Sequence, residues 1–264
     1  MVHIVSWNVN SINARLSNVE RFIDEHNPDI LLLQEIKCTS DKFPLDFFES
    51  RGYEVQTNGQ KSYNGVSIVS KFSIEDVHTD ISDEKADEER RYITGFVSVN
   101  KSCIRLLSVY VPQGTEVYSD RFRYKLSFIQ ELEARIQNFM QYKEDIIVIG
   151  GDLNVALEKD DVYDDIELQG SLGFHMEERN ALRSALNRCA FLDGWRILNP
   201  KTKKQFTWWD YRNMGAIRDH GMRLDYLLVS PAAADILTDA VIHKDVRFWD
   251  RPSDHAPISI ILGI

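Results

Sequence analysis

Several apolar stretches of this chain end on a polar side chain that could act on a phosphate. Asn8 follows His3-Ile4-Val5-Ser6-Trp7, Glu35 follows Ile30-Leu31-Leu32-Leu33-Gln34, and Tyr110 follows Ile104 to Val109. Asp152 and Asn154 follow Ile146-Ile147-Val148-Ile149-Gly150-Gly151, and Asp254-His255 stands just before Pro257 to Leu262. Arg223-Leu224-Asp225-Tyr226 places a further aspartate inside an apolar run. Aligned on one rim, these residues would gather carboxylates, carboxamides, a phenol and one histidine. Hard divalent cations such as Mg²⁺ take one or two carboxylates together with waters and phosphate oxygens. Zinc suits the set less well, because His255 is its only histidine and no cysteine joins it. An aspartate beside a histidine fixes the imidazole tautomer, the part Asp225 would play. Asp152, next to Asn154, could accept a proton from water. The parts are those of metal-assisted phosphoester hydrolysis.

Each residue also has an ordinary reading. Asn8 and Asp152 could cap helices, Glu35 could be a surface carboxylate, Asp225 could pair with Arg223, and Tyr110 could be a core aromatic. Recurrence of one construction at so many strand exits argues for chemistry. His3, His26, His78, His175, His220 and His243 lack such company and read as structural.

Apolar spacing supplies the elements that must position these groups. Ile12, Leu16, Val19, Phe22 and Ile23 recur at helical intervals, and Asn27-Pro28-Asp29 closes that segment. Val66 to Val69, Tyr92 to Val99 and Ile104 to Val111 read as strands, the last stopped by Pro112-Gln113-Gly114. The longest helix spans Asp120 to Gln141, with Phe122, Leu126, Ile129, Leu132, Ile136 and Phe139 on one face. A polar loop with Gly170 and Gly173 precedes a helix from about Glu177 to Arg188. Phe206 to Trp208, Leu224 to Val229 and Pro257 to Leu262 complete the strands. The two halves echo each other, so the pattern predicts an α/β protein of two packed mixed sheets with outer helices rather than a doubly wound parallel sheet.

Composition limits the alternatives. With 264 residues, 43% hydrophobic and 27% charged, the chain is an ordinary globular protein with a sizeable core. No apolar run reaches membrane-spanning length, and the start reads as a strand rather than a signal peptide. Three cysteines in unrelated contexts, with no C-x-x-C, suggest neither a disulfide framework nor a thiolate metal site and fit a cytoplasmic protein. A net charge of −10 argues against nucleic-acid binding by bulk electrostatics. Much of that charge lies in two blocks, Asp80 to Glu89 and Glu158 to Glu167, which read as solvated loops and leave room for a basic face elsewhere.

Ser6-Trp7-Asn8-Val9-Asn10, Leu33-Gln34-Glu35-Ile36-Lys37, Gly150-Gly151-Asp152-Leu153-Asn154 and Ser253-Asp254-His255 resemble the endonuclease/exonuclease/phosphatase superfamily. Tyr110-Val111-Pro112-Gln113-Gly114, Tyr124-Lys125, Thr207-Trp208-Trp209-Asp210-Tyr211-Arg212 and Arg223-Leu224-Asp225 narrow this to its exonuclease III type of abasic-site endonuclease. The resemblance runs from residue 3 to about 262, so residues 1–264 are expected to form one domain. It implies a four-layered α/β sandwich with the site at one rim of two facing sheets. It further implies Glu35 as the main Mg²⁺ ligand (Mn²⁺ being the alternative), beside Asn8 and Asp254, with Asp152 and Asn154 as candidates for a second metal position.

Asp152 would align or deprotonate the attacking water, with Asn154 holding it. His255, paired with Asp225, and Tyr110 would contact the phosphate. Trp208, Met222 and Leu224 fall where the family lines its pocket for a baseless sugar. Met222 departs from the Trp of eukaryotic relatives and is nearer the Leu of bacterial ones. Arg212 belongs to a loop, running to Gly221, expected at the DNA. The function implied is Mg²⁺-dependent cleavage 5′ to abasic sites in duplex DNA, with 3′→5′ exonuclease and 3′-end trimming, by a monomer without a membrane partner. The rivals are a related phosphatase acting on small or lipid phosphates and an idle DNA-binding module.

Overall fold

Each of the two sheets is built around a pair of apolar strands that run parallel across a helical crossover. The computed structural model describes residues 1–81, 89–140 and 145–264. In chain order the first half contains β1 (Val2–Asn8), α1 (Leu16–His26), β2 (Ile30–Gln34), α2 (Leu45–Glu49), β3 (Glu54–Asn58), β4 (Val66–Ser70), β5 (Ile74–His78) and β6 (Tyr92–Val99). Then come β7 (Ser102–Tyr110), α3 (Asp120–Phe139), β8 (Ile146–Asp152), α4 (Met176–Arg188), β9 (Leu192–Asp193) and α5 (Gly194–Leu198). The chain finishes with α6 (Gly215–Arg218), β10 (Asp225–Val229), α7 (Pro231–Asp235), β11 (Leu237–Ile242) and β12 (Ile258–Leu262).

One six-stranded sheet has the order β11-β12-β1-β2-β4-β3 and the other β5-β6-β7-β8-β10-β9. Only β1–β2 and β7–β8 are parallel, and every other pair is antiparallel. The sheets are therefore mixed and follow the same pattern, as the echo between the halves implied. Their inner faces meet in a core that includes Ile4, Leu32, Ile68, Ile93, Leu106, Val148, Leu227 and Ile260. On the outer faces, Val19 and Phe22 of α1 pack on Trp7 and Leu31, while Phe128, Ile129 and Leu132 of α3 pack on Ile147 and Ile149. The four layers are helix, sheet, sheet and helix.

Boundaries follow local chemistry. Asn27 ends α1 in the left-handed region at φ 45°, its N–H bonding Ile23 O. That helix begins at Leu16, well past Asn8, so Asn8 is not its cap. Ser119 caps α3, its hydroxyl accepting from Phe122 N. The end of α3 expected at Gln141 lies outside the described residues, and the inward face differs from expectation: Lys125 is fully buried and Leu126 only half-buried. The segment Phe206-Thr207-Trp208 is not a strand and holds only single bridges, from Trp208 to Met222 and to His255. The Thr207 hydroxyl instead accepts from the backbone N–H groups of Leu224 and Asp225, 3.0 Å each, where a ladder partner would have stood. Strands β3, β5 and β11, unforeseen from the pattern, carry half-exposed, charge-bearing sequences, and β3 and β11 are the two edges of one sheet.

Candidate active site

Register brings the second half's polar groups to one level. Tyr110 pairs with Asp152 across β7–β8, and Asp152 pairs with Asp225 across β8–β10. In the facing sheet Asn8 pairs with Gln34, which places Glu35 one residue beyond the strand end. The two sheets approach closely beneath this rim because Gly150 has no side chain. A Cβ there would lie 2.6 Å from Leu32 Cδ1 and 3.0 Å from Ser6 Cβ.

Asn8 joins the sheets. Its Nδ2 donates to Glu35 Oε1 at 2.8 Å and to Asp152 Oδ2 at 2.9 Å. Asp152 Oδ1 accepts from Asn154 N at 2.9 Å, a local turn rather than a helix cap, and Asn154 Nδ2 lies 3.3 Å from Oδ2. Ser253 fastens the last loop to the first strand: its hydroxyl donates to Asn8 O and accepts from His255 N. Thereby His255 Nδ1 lies 2.7 Å from Asp225 Oδ2, and Nε2 lies 3.6 Å from Asp152 Oδ2. Asp225 thus serves His255, while Arg223 turns away to Asp161 and Asp193.

The electrostatics are those of crowded carboxylates. Burial pushes Asp152 up to about 7, with His255 opposing and Asp225 and Glu35 reinforcing the rise. Burial alone would lower His255, but Asp225 and Asp152 outweigh it and the imidazole rises to about 10. Burial and the carboxylates of Glu35 and Asp152 hold the Tyr110 phenol well above its usual value. Asp254 is lowered: against the cost of burial it has His255 and hydrogen bonds from Asn10 and Trp208. Backbone strain collects here too, with Asn10 (φ 46°), Glu35 (φ 48°), Lys37 (φ 53°) and Asn154 (φ 52°) all left-handed without being glycine.

Ligand atoms of Glu35, Asp152 and His255 lie within 4.8 Å of one another, the one such convergence of acidic, histidine or cysteine groups among the described residues. The two carboxylates of this set supply the oxygen donors that a hard divalent cation takes. Asp254 stands just outside this set. Its Oδ1 accepts from Asn10 Nδ2 at 2.8 Å and its Oδ2 from Trp208 Nε1 at 3.1 Å. Around the cluster lies a cleft of about 440 Å³ lined by Tyr110, Asp152, Trp208, Met222, Leu224 and His255 among others. Arg212 also lines it, with its side chain 86% exposed at the mouth.

Residues 5–255 match the Endonuclease/Exonuclease/phosphatase family. The chain belongs to that family. It is 31% identical to the exodeoxyribonuclease III of Haemophilus influenzae over 96% of its own length and 97% of the relative's. An AP endonuclease from Archaeoglobus fulgidus superposes with a TM-score of 0.93 at 34% identity, over 100% of both chains. A Neisseria 3′ phosphatase, solved bound to a product DNA hairpin, gives 0.92 at 33% identity over 99% of each.

Sequence reasoning missed some rim residues. Asn10 joins the halves, and Lys37 Nζ lies 2.6 Å from Asn10 Oδ1 and 2.7 Å from Glu35 Oε2. Both residues stand inside motifs quoted for other members, so the signal was their spacing from Asn8 and Glu35. Gln113, from the motif that follows Tyr110, and Leu172 and Gly173, from the polar loop before α4, also line the cleft, a role the sequence did not assign them.

Proposed function

We propose that this protein is a DNA repair nuclease that cuts the phosphodiester 5′ to abasic sites in duplex DNA and trims 3′ ends. The observation that carries the reading is the level shared by Tyr110, Asp152 and Asp225, with His255 lying over Asp225 and Glu35 facing them from the other sheet. Family membership and close relatives named as exodeoxyribonuclease III and AP endonuclease place phosphodiester hydrolysis of DNA first. Residues 1–264 act as one unit in this reading, since the site takes side chains from both sheets.

Asp152 is the proton acceptor for the attacking water: buried, aimed by Asn8 and Asn154, and poised near neutrality. The His255 imidazolium, held by Asp225, gives a cation to a phosphate oxygen. Tyr110 faces the same point with a phenol that stays protonated and can donate. Glu35, with Asn8 and Asp254 close by, would hold the cation, and the oxygen donors favour Mg²⁺ with Mn²⁺ as substitute. Bound there, a divalent ion would neutralise phosphate charge and lower the pKa of water. Trp208, Met222 and Leu224 form a flat apolar wall suited to a deoxyribose without its base. We take the protein to act as a monomer on duplex DNA, in the cytoplasm, as its free cysteines suggest. No described helix is long and apolar enough to cross a membrane.

A duplex carrying one abasic analogue tests this. Wild type should nick it 5′ to the lesion with Mg²⁺ and not with chelator, and Asp152→Asn should lower the rate about 10²–10⁴-fold. Nicking by Asp152→Asn at the wild-type rate would remove Asp152 from its role. Hydrolysis of soluble phosphoesters with no cleavage of any duplex would make the protein a phosphatase.

A further inference from the structure

We infer that Lys125, on α3, is a positioning residue whose ammonium clamps together three loops of the cleft and so fixes the aim of Asp152 and Asn154. This deepens the nuclease reading and rests on it.

Lys125 Nζ donates to Gln113 O at 3.2 Å, to Asn154 O at 2.7 Å and to Glu178 Oε2. Both Lys125 and Glu178 side chains are 0% exposed. An ammonium has three N–H donors, and each here goes to a different segment. Gln113 belongs to the loop leaving Tyr110, and Asn154 to the loop leaving Asp152. Glu178 lies in the first turn of α4, where its other oxygen accepts from His175 N at 2.9 Å. That bond secures the approach to α4, in which Leu172 and Gly173 line the cleft. Ala156 N–H to Gly173 O, 2.7 Å, closes the second loop on the third.

The clamp reaches the Asp152 carboxylate by hydrogen bonds through Asn154. Its carbonyl is held by Lys125, its N–H and Nδ2 go to Asp152, and its Nδ2 also donates to Val111 O at 2.9 Å. With φ at 52°, Asn154 needs such support to keep a conformation that L residues disfavour. If Asn154 relaxes, Asp152 loses two of the donors that orient its carboxylate.

Helix packing gives no reason for the charge. Replacing a buried ion pair by apolar side chains of similar volume is often neutral or stabilising, so a Met or Leu here would hold α3 on α4 at least as well. Burial outweighs the opposing pull of Glu178 and Asp152 and holds Lys125 below its usual value, while its Nζ keeps three acceptors in reach, the geometry of an ammonium. The position is also one that a charged residue rarely takes, three residues after Phe122 on the inward face of α3.

The test is the full-length double variant Lys125→Met/Glu178→Gln, which removes both charges and keeps an acceptor for His175 N. Steady-state cleavage of the abasic duplex at saturating Mg²⁺ should show kcat lowered about 10- to 100-fold, the effect of misplacing a reacting group by about 1 Å. KM should stay within about threefold, because none of Trp208, Met222, Leu224 and Arg212 bonds to Lys125 or Glu178. Hydrogen exchange at Ala156 should accelerate in the same variant. A folded variant with wild-type kcat overturns the inference while leaving the nuclease reading intact. A wild type that leaves the duplex uncut overturns that reading instead. Should the double variant not fold, Lys125→Gln/Glu178→Gln, a neutral hydrogen-bonded pair, decides by the same split between kcat and KM.

Discussion

Two groups of buried charges lie close together in this protein and differ in balance. Arg223 donates to both oxygens of Asp161, at 2.8 and 3.0 Å, and reaches Asp193 at 2.6 Å, while Arg196 adds a bond to Asp161 at 2.7 Å. Two cations meet two anions there, and the net effect on Arg223, against its burial, is to hold its proton more tightly than usual. At the rim Glu35, Asp152, Asp225 and Asp254 crowd together, and among the described residues their ion pairs are those of Lys37 with Glu35 and of His255 with Asp152 and Asp225. Asp225 Oδ1 has no hydrogen-bond partner among the described residues. A balanced network fixes a shape and has no affinity left over. The unbalanced one is ready for a cation and a phosphate together, and its cost in stability is what allows it to react.

The sharpest way to break this distinction is to remove the centre of the balanced network. Arg223→Met should destabilise by about 3–5 kcal/mol, because Asp161 and Asp193 are left buried without the guanidinium. At a temperature where the variant is folded, kcat should remain near wild type. Thermal melts and kinetics on one preparation check both. Lost turnover with an unchanged melt would mean that the two groups of charges are not separate.

Asp225→Asn should do the reverse, keeping the melt and lowering kcat about 10²-fold, or about 2.7 kcal/mol of transition-state stabilisation. The pH profile gives the sign. Asp225 is the leading upward influence on His255, which sits at about 10. Without that carboxylate the imidazole pKa falls, so His255 loses its proton at lower pH. The alkaline limb of kcat should therefore move to lower pH, while the acid limb, set by Asp152, should fall slightly as a neighbouring negative charge is lost. An alkaline limb that stays in place would show that His255 is not the cation in question.

The same contrast explains how much the sequence revealed. Strand ends β1, β2, β7, β8 and β12 were legible because buried parallel and central strands are continuous apolar runs, and the polar residue that ends such a run stands out. The site was legible for that reason, with Asn8, Glu35, Tyr110 and Asp152 each at a strand exit and His255 just before β12. Edge strands β3 and β11 were not, since exposure on one side mixes charge into the pattern. The balanced network was hidden as well. Asp161 stands in the acidic block Glu158 to Glu167, which reads as a solvated loop, yet it is fully buried and paired. Lys125 was hidden by the same default, that a lysine on a helix faces water. Of the other acidic block, residues 82–88 lie outside the described residues. A pattern of residue types shows where apolar surface goes, but which charges are buried is decided by partners distant in the chain.

The smallest effect is expected from the exposed charge at the mouth, which belongs to neither buried group. Arg212 is 86% exposed and only 3.4 Å from Asp210, so its loss should leave the melt unchanged. With a net charge of −10 the protein gains little from bulk attraction to DNA, and each cation at the cleft carries a larger share of the electrostatic contact. Arg212→Ala should raise KM on the abasic duplex about two- to fivefold with kcat unchanged. Across a salt titration it should reduce the slope of log affinity against log salt by roughly one, the share of a single phosphate contact. A slope identical to wild type would place Arg212 off the DNA path, and the rim's own cations, Lys37 and His255, would then have to account for the salt dependence alone.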